Sequence, residues 1–182
     1  MSDFSKPPPP LPLSIHSFSL WASEGDVNQG NAPGSLASST WPTANLAMYI
    51  PFSIPWPFPV RRVFWMNGSA AGGNVEVGVY SIGGTKLFSV SAAGSSSFNS
   101  AIQYASLANE FLLVPGRYYM ACMVDNITAN RISLLTITAI DGRLRGLLQQ
   151  ASASPLPNTI TPAQYAQTLM PFCGIHRASS GY

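Results

Sequence analysis

Seven carboxylates, two histidines and two cysteines are the side chains of this 182-residue chain best suited to acid–base, metal or thiol chemistry. The acids are Asp3, Glu24, Asp26, Glu76, Glu110, Asp125 and Asp141. A glycosidase holds two carboxylates about 5 to 10 Å apart across a cleft. Glu24 and Asp26 are close in sequence but sit in the loop-like stretch EGDVNQGNAPGSLASST. Glu76 falls on the outward face of an alternating strand, where a solvated charge is expected. A serine triad needs a histidine oriented by an acid beside a serine on a strained turn. His16 lies in the N-terminal segment and His176 near the C-terminus, there is no GxSxG, and Ser95-Ser96-Ser97 reads as ordinary loop. Neither GxxxxGK[ST] nor GxGxxG occurs, and two distant histidines do not make a metal site.

Cys122 and Cys173 lie in the apolar, strand-like runs YYMACMV and MPFCGI, so buried free thiols are expected. A disulfide between them is the alternative, should their strands be neighbours. No residue is therefore assigned a catalytic, cofactor-binding or metal-binding role, and the expectation is a protein that is not an enzyme. The aromatics Trp41, Tyr49, Trp56, Phe58, Trp65, Tyr80, Tyr104, Tyr118 and Tyr119 could build a sugar-stacking platform. Core and subunit interface are the weightier reading, because few polar partners for sugar hydroxyls stand near Trp56 and Phe58.

Composition points the same way. Apolar residues make up 46% of the chain, enough for a core, whereas charged residues make up only 9%, against roughly 25% in an average soluble domain. A surface with so few charges repels its own copies weakly and favours association. No run approaches the roughly 18 uninterrupted apolar residues that a membrane-spanning helix needs. The net charge is +2 and the seven arginines are scattered, which gives no cationic face for nucleic acid. The N-terminus MSDFSKPPPPLPL has no basic segment leading into an apolar stretch, so a secretory signal is not expected and the thiols should stay reduced in a cytoplasm.

Two regions differ in character. Residues 1–40 form an expected extended arm and linker: Pro7-Pro8-Pro9-Pro10-Leu11-Pro12-Leu13 should favour the stiff polyproline II conformation. Ile15, Phe18, Leu20 and Trp21 are too apolar for an inert tail and should dock on the body or on a neighbour. Residues 41–182 form the expected body. Leu46–Phe52 is a strand that ends in prolines. Val60–Met66 is the next, with Val60, Arg62, Phe64 and Met66 on one face and Arg61, Val63 and Trp65 on the other. After the Asn67-Gly68 turn, Asn74–Ser81 alternates, with Val75, Val77 and Val79 inward and Glu76, Gly78 and Tyr80 outward. Further strands are expected at Lys86–Ser91, Ile102–Leu107, Phe111–Val114, Arg117–Val124 and Met170–His176. Ile132–Ile140 reads as strand or short buried helix, and Gly142–Gln150 as a weak helical turn. Thr161-Pro162 reads as the start of a short helix ending at Leu169. About eight short strands, with turn signals every 8 to 12 residues or so, define an all-β antiparallel sandwich or jelly roll.

Four stretches carry a resemblance: TWPTANLAMYIPFSIP, RRVFWMNGSAAGGNVEVGVYSIGGTKL, LVPGRYYMACMVD and PLPNTITPAQYAQTLMPFCGI. Together they cover about half the chain, and their pattern resembles the small jelly-roll structural proteins of tailed-bacteriophage virions, which serve as capsid decoration, tail or fibre components. The resemblance implies a non-catalytic virion protein, often trimeric, bound to other capsid or tail proteins and made in the host cytoplasm. On that reading the contact residues are Pro7, Pro8, Pro9, Pro10, Leu11, Leu13, Phe18 and Trp21 of the arm, and Trp56 and Phe58 of the Pro55–Pro59 loop. The alternative is a carbohydrate-binding module at a fibre tip that recognises host-surface glycan.

Overall fold

The computed structural model describes residues 14–16, 37–94, 99–127 and 132–177, with residues 14–16, 37 and 132–135 described as backbone only. Among the described residues thirteen strands and one helix follow in order: β1 Ser14–His16, β2 Ala37–Ser39, β3 Leu46–Ile54, β4 Phe58–Met66, β5 Asn74–Ser81, β6 Lys86–Ala93, β7 Ile102–Leu113, β8 Gly116–Val124, β9 Ile132–Thr136, α1 Ala139–Leu144, β10 Leu148–Gln150, β11 Ala163–Gln164, β12 Leu169–Pro171 and β13 Cys173–His176. They form a six-stranded sheet β11-β10-β3-β8-β5-β6, a four-stranded sheet β1-β13-β4-β7 and a three-stranded sheet β12-β9-β2. Every strand pairing is antiparallel. The protein is an all-β sandwich, as its alternation and turn spacing imply. Two short strands come from the first 40 residues: β1 pairs with β13, and β2 with β9.

The main core lies between the six- and four-stranded sheets. Met48, Ile50, Phe52 and Ile54 of β3, the three valines of β5, and Met120, Cys122 and Val124 of β8 meet Phe58, Val60, Val63 and Trp65 of β4 and Cys173 and Ile175 of β13. Alternate residues of a strand point to opposite faces, so regular alternation would put Val60 opposite Val63 and Trp65. Instead the β4–β7 register shifts between Val60 and Arg62: Val60 pairs with Phe111, but Arg62 pairs with Ser106. A bulge re-aims the side chains that follow it, and both halves of β4 thereby face the core. At the bulge Arg61 Nε donates to Glu110 Oε2 at 2.6 Å.

The other face of the six-stranded sheet is not open to solvent. Ala47, Tyr49, Tyr80, Ala121 and Met123 are covered by Ala153, Leu156 and Ile160. Glu76, expected to be solvated, is buried under this segment, and its Oε2 accepts from the Leu156 backbone N–H at 2.9 Å. Tyr80 donates to Pro157 O at 2.7 Å, and Lys86 Nζ donates to Leu156 O at 2.6 Å. An apolar stretch can lie on a sheet only if its own peptide groups are satisfied, and Glu76, Tyr80 and Lys86 supply those bonds.

The expected helix from Thr161 to Leu169 is absent. Gln149 pairs with Ala163 and Leu148 with Gln164, while Ala166 N–H donates to Gln149 Oε1 at 3.0 Å, which commits this backbone to the sheet. Tyr165 is fully buried and donates to Leu169 O beside Met48 Sδ. The helix is α1, capped by Thr138 Oγ1, which accepts from Asp141 N–H at 3.0 Å. Its Gly142 packs on the Tyr165 ring, where a Cβ would stand 2.6 Å from Cδ1.

Replacing Glu76 by alanine should leave the Leu156 N–H buried without its acceptor and destabilise the protein by about 1–3 kcal/mol. Glu76→Gln keeps an acceptor oxygen and should cost clearly less. Urea unfolding of the two variants measures both, and equal effects would show that the bond to Leu156 contributes nothing.

Candidate functional site

The described carboxylates all serve the fold. Glu76 holds the covering segment, Glu110 pairs with Arg61, Asp125 accepts from Asn74 N and Nδ2, and Asp141 closes the first turn of α1 with Thr138. Among the described residues, no group of three or more His, Cys, Asp or Glu side chains comes together as metal ligands would. His176 is buried to within a small fraction of its surface, with its ring 5.7 Å from that of Tyr104. No helix among the described residues is long and apolar enough to cross a membrane.

Cys122 and Cys173 are buried free thiols from opposite sheets. Cys173 Sγ lies 3.8 Å from Met120 Sδ, and burial, with the Cys173 thiol beside it, pushes the Cys122 thiol well up. A thiol held protonated and out of solvent is a poor nucleophile.

Tyr49 and Tyr80 meet edge to face at 5.4 Å under the covering segment. Burial raises the Tyr49 phenol to about 12, against a smaller opposing effect of its hydrogen bond with Tyr80. Burial raises Tyr80 and Tyr165 as well. These hydroxyls are hydrogen-bonded within the fold, Tyr49 to Gln150 Oε1 at 3.2 Å, so they hold structure and offer no surface to a ligand.

One end of the sandwich has a different character. Ile54 lies opposite Gly116, Ser81 opposite Tyr118, and Phe58 opposite Leu113. The β3–β4 turn (55–57), the β5–β6 turn (82–85) and the β7–β8 turn (114–115) therefore gather at the same end. Here Trp56 is 51% exposed, Ile82 50%, Leu112 56% and Val114 58%. Pro55, Pro57 and Pro115 are exposed beside them. Within residues 52–59, 81–85 and 112–118 the only charged side chain is Arg117. The sequence produces this end directly: Pro-Trp-Pro cannot continue a ladder, so the chain crosses between sheets there and the indole is turned outward.

Of the expected contact residues, Trp56 is on this surface. Phe58 is not: it is buried in the main core, because it is the first residue of β4 and points between the sheets. Trp65 is likewise fully buried, its Nε1 donating to Asn67 Oδ1 at 2.7 Å, and offers no face for stacking a sugar. Pro7, Pro8, Pro9, Pro10, Leu11, Leu13, Phe18 and Trp21 lie outside the described residues. Sequence reading missed Leu112, Val114 and Ile82, whose exposure follows only from the three turns sharing one end.

No protein-family model, no curated protein and no solved structure matches this chain.

Two outcomes are expected from these environments. Tyr49 has a folded-state value raised above its unfolded value of 10.0, so the stability it contributes is complete below pH 10 and falls as the pH rises towards about 12. Chemical unfolding at stepped alkaline pH should show this decline, and Tyr49→Phe should make it shallower. Iodoacetamide should label neither Cys122 nor Cys173 in the folded protein and both in denaturant; fast labelling of the folded chain would contradict their burial.

Proposed function

We propose that this chain is a non-enzymatic structural protein of a tailed-bacteriophage virion, one that associates with copies of itself, as a trimer, and with capsid or tail proteins. The observation that carries the reading is the apolar, almost uncharged end built by Trp56, Leu112, Val114 and Ile82. Exposed apolar side chains gathered at one end of a fold mark a contact surface when together they exceed a few hundred Å² or so. The 9% charged fraction adds to it, since so few charges oppose self-association weakly. The sequence resemblance to small virion components supplies the setting: synthesis in the host cytoplasm, then a place in the particle.

A second reading, a carbohydrate-binding module of a tail fibre, is favoured by one feature on the outer face of the four-stranded sheet. Tyr104 is 47% exposed, with the Arg62 guanidinium 6.0 Å from its ring centroid and His176 against its edge. An exposed ring beside polar groups is what a stacked sugar uses. Glycan binding lost in Tyr104→Ala but kept in Trp56→Ser would move the assignment to this reading.

The assembly reading is tested in the particle. When the virion assembles in infected cells, the full chain should band with the particles in a density gradient. The Trp56→Ser/Val114→Ser chain, folded by circular dichroism, should remain in the unassembled fraction. A double variant that bands with particles as fully as the parent would remove the apolar end from the account, and a parent chain absent from particles would remove the virion reading altogether.

A further inference from the structure

Resting on the assembly reading, we propose that residues Pro7–Leu13 of one copy lie across the Trp56–Leu112–Val114 end of a neighbouring copy. The first ground is direction. In β1, Ser14 lies opposite His176 and His16 opposite Gly174. In turn His176 lies opposite Arg62 of β4, and Gly174 opposite Phe64. Because β4 starts at Phe58, at the apolar end, Ser14 is the end of β1 nearer to that surface. The chain before Ser14 therefore joins β1 at the end nearer the apolar surface, away from the Asn67-Gly68 turn.

The second ground is length. Arg62 stands four positions from Phe58, which is ~13 Å at ~3.3 Å per strand residue. Seven residues in polyproline II cover ~22 Å at ~3.1 Å each. Pro7–Leu13, if extended in that form, is thus long enough to pass the end of its own sandwich and meet a copy that abuts it. The third is size. Four half-exposed apolar side chains and three prolines make a patch of roughly a few hundred Å². That is short of the ~800 Å² per partner that a stable globular interface buries, and is the footprint of a short peptide. The fourth is chemistry. Proline-rich segments dock against exposed aromatic side chains, and their stiffness keeps the ordering cost low. Pro7–Leu13 carries no charge and the patch has only Arg117 at its margin, so the match is apolar to apolar. A copy that both gives an arm and receives one joins its neighbours head to tail, and such a contact makes a closed ring, a trimer included, where the rotation between copies closes.

The test uses the full chain with a photoreactive benzophenone side chain at position 11, prepared in isotopically light and heavy forms, mixed and irradiated. Mass spectrometry should find light–heavy peptide pairs that join the region of Leu11 to residues 54–62 or 112–117. Trp56→Ser/Val114→Ser should reduce those pairs about tenfold or more, as expected when a central apolar anchor is lost. Pairs that form only within one copy, pairs between copies at other positions, or pairs unaffected by the double variant would each overturn the proposal. The mass of the mixture in solution separates the two levels of the account. An associated chain cross-linked elsewhere removes the arm dock and leaves the assembly reading, whereas a chain of 19.4 kDa with only within-copy pairs removes both.

Discussion

The structure depends on the burial of β8 on both of its faces. Met120, Cys122 and Val124 point into the main core, while Ala121 and Met123 point the other way, under the segment that carries Ala153, Leu156 and Ile160. A strand sealed on both sides reads as a continuous apolar run, and RYYMACMV is that run. Its neighbours inherit the constraint. β3 and β5 must also be apolar on both faces or provide bonds for what covers them, which is why Tyr49, Tyr80 and Glu76 stand where solvent-facing polar residues would otherwise be.

Among the described residues, this arrangement employs every carboxylate of a chain in which charged residues make up only 9%. Its described acids are spent on a bulge, a loop, a helix cap and the covering segment. None is left for the end where three turns meet. An apolar patch at that end is thus a consequence of how few charges the chain carries and where the fold needs them. Its exposure is tolerable if neighbours cover it, which is the physical basis of the assembly reading.

Local patterns in the sequence were sufficient for the all-β class and for β3, β4, β5, β6 and β8, but not for the single long β7, the break between β12 and β13, or β10, which lies where a helical turn was expected. The alternation in NVEVGVYS placed Val75, Val77 and Val79 inward, and the Pro-Trp-Pro interruption marked the crossing between sheets. What lay beyond reach was set by contacts distant in sequence. Nothing near Glu76 announces that Leu156, 80 residues later, covers it. The bulge at Arg61 appears only when β4 is laid against β7. The Thr161-Pro162 start has sound helix-capping chemistry, but its backbone is claimed by β10 and the Gln149 side chain. Of the proposed contact surface, the exposure of Trp56 was legible because prolines flank it. Phe58, two residues on, was misjudged for the same reason: proximity to the turn hid its position as the first inward residue of β4.

The central claim is that the apolar end is a contact surface between copies, and the most direct measurement is the mass of the purified full chain in solution by sedimentation equilibrium over a range of concentrations. The account predicts a multiple of 19.4 kDa at micromolar concentration, insensitive to added salt because the contact is apolar. A chain that stays at 19.4 kDa up to its solubility limit would contradict it.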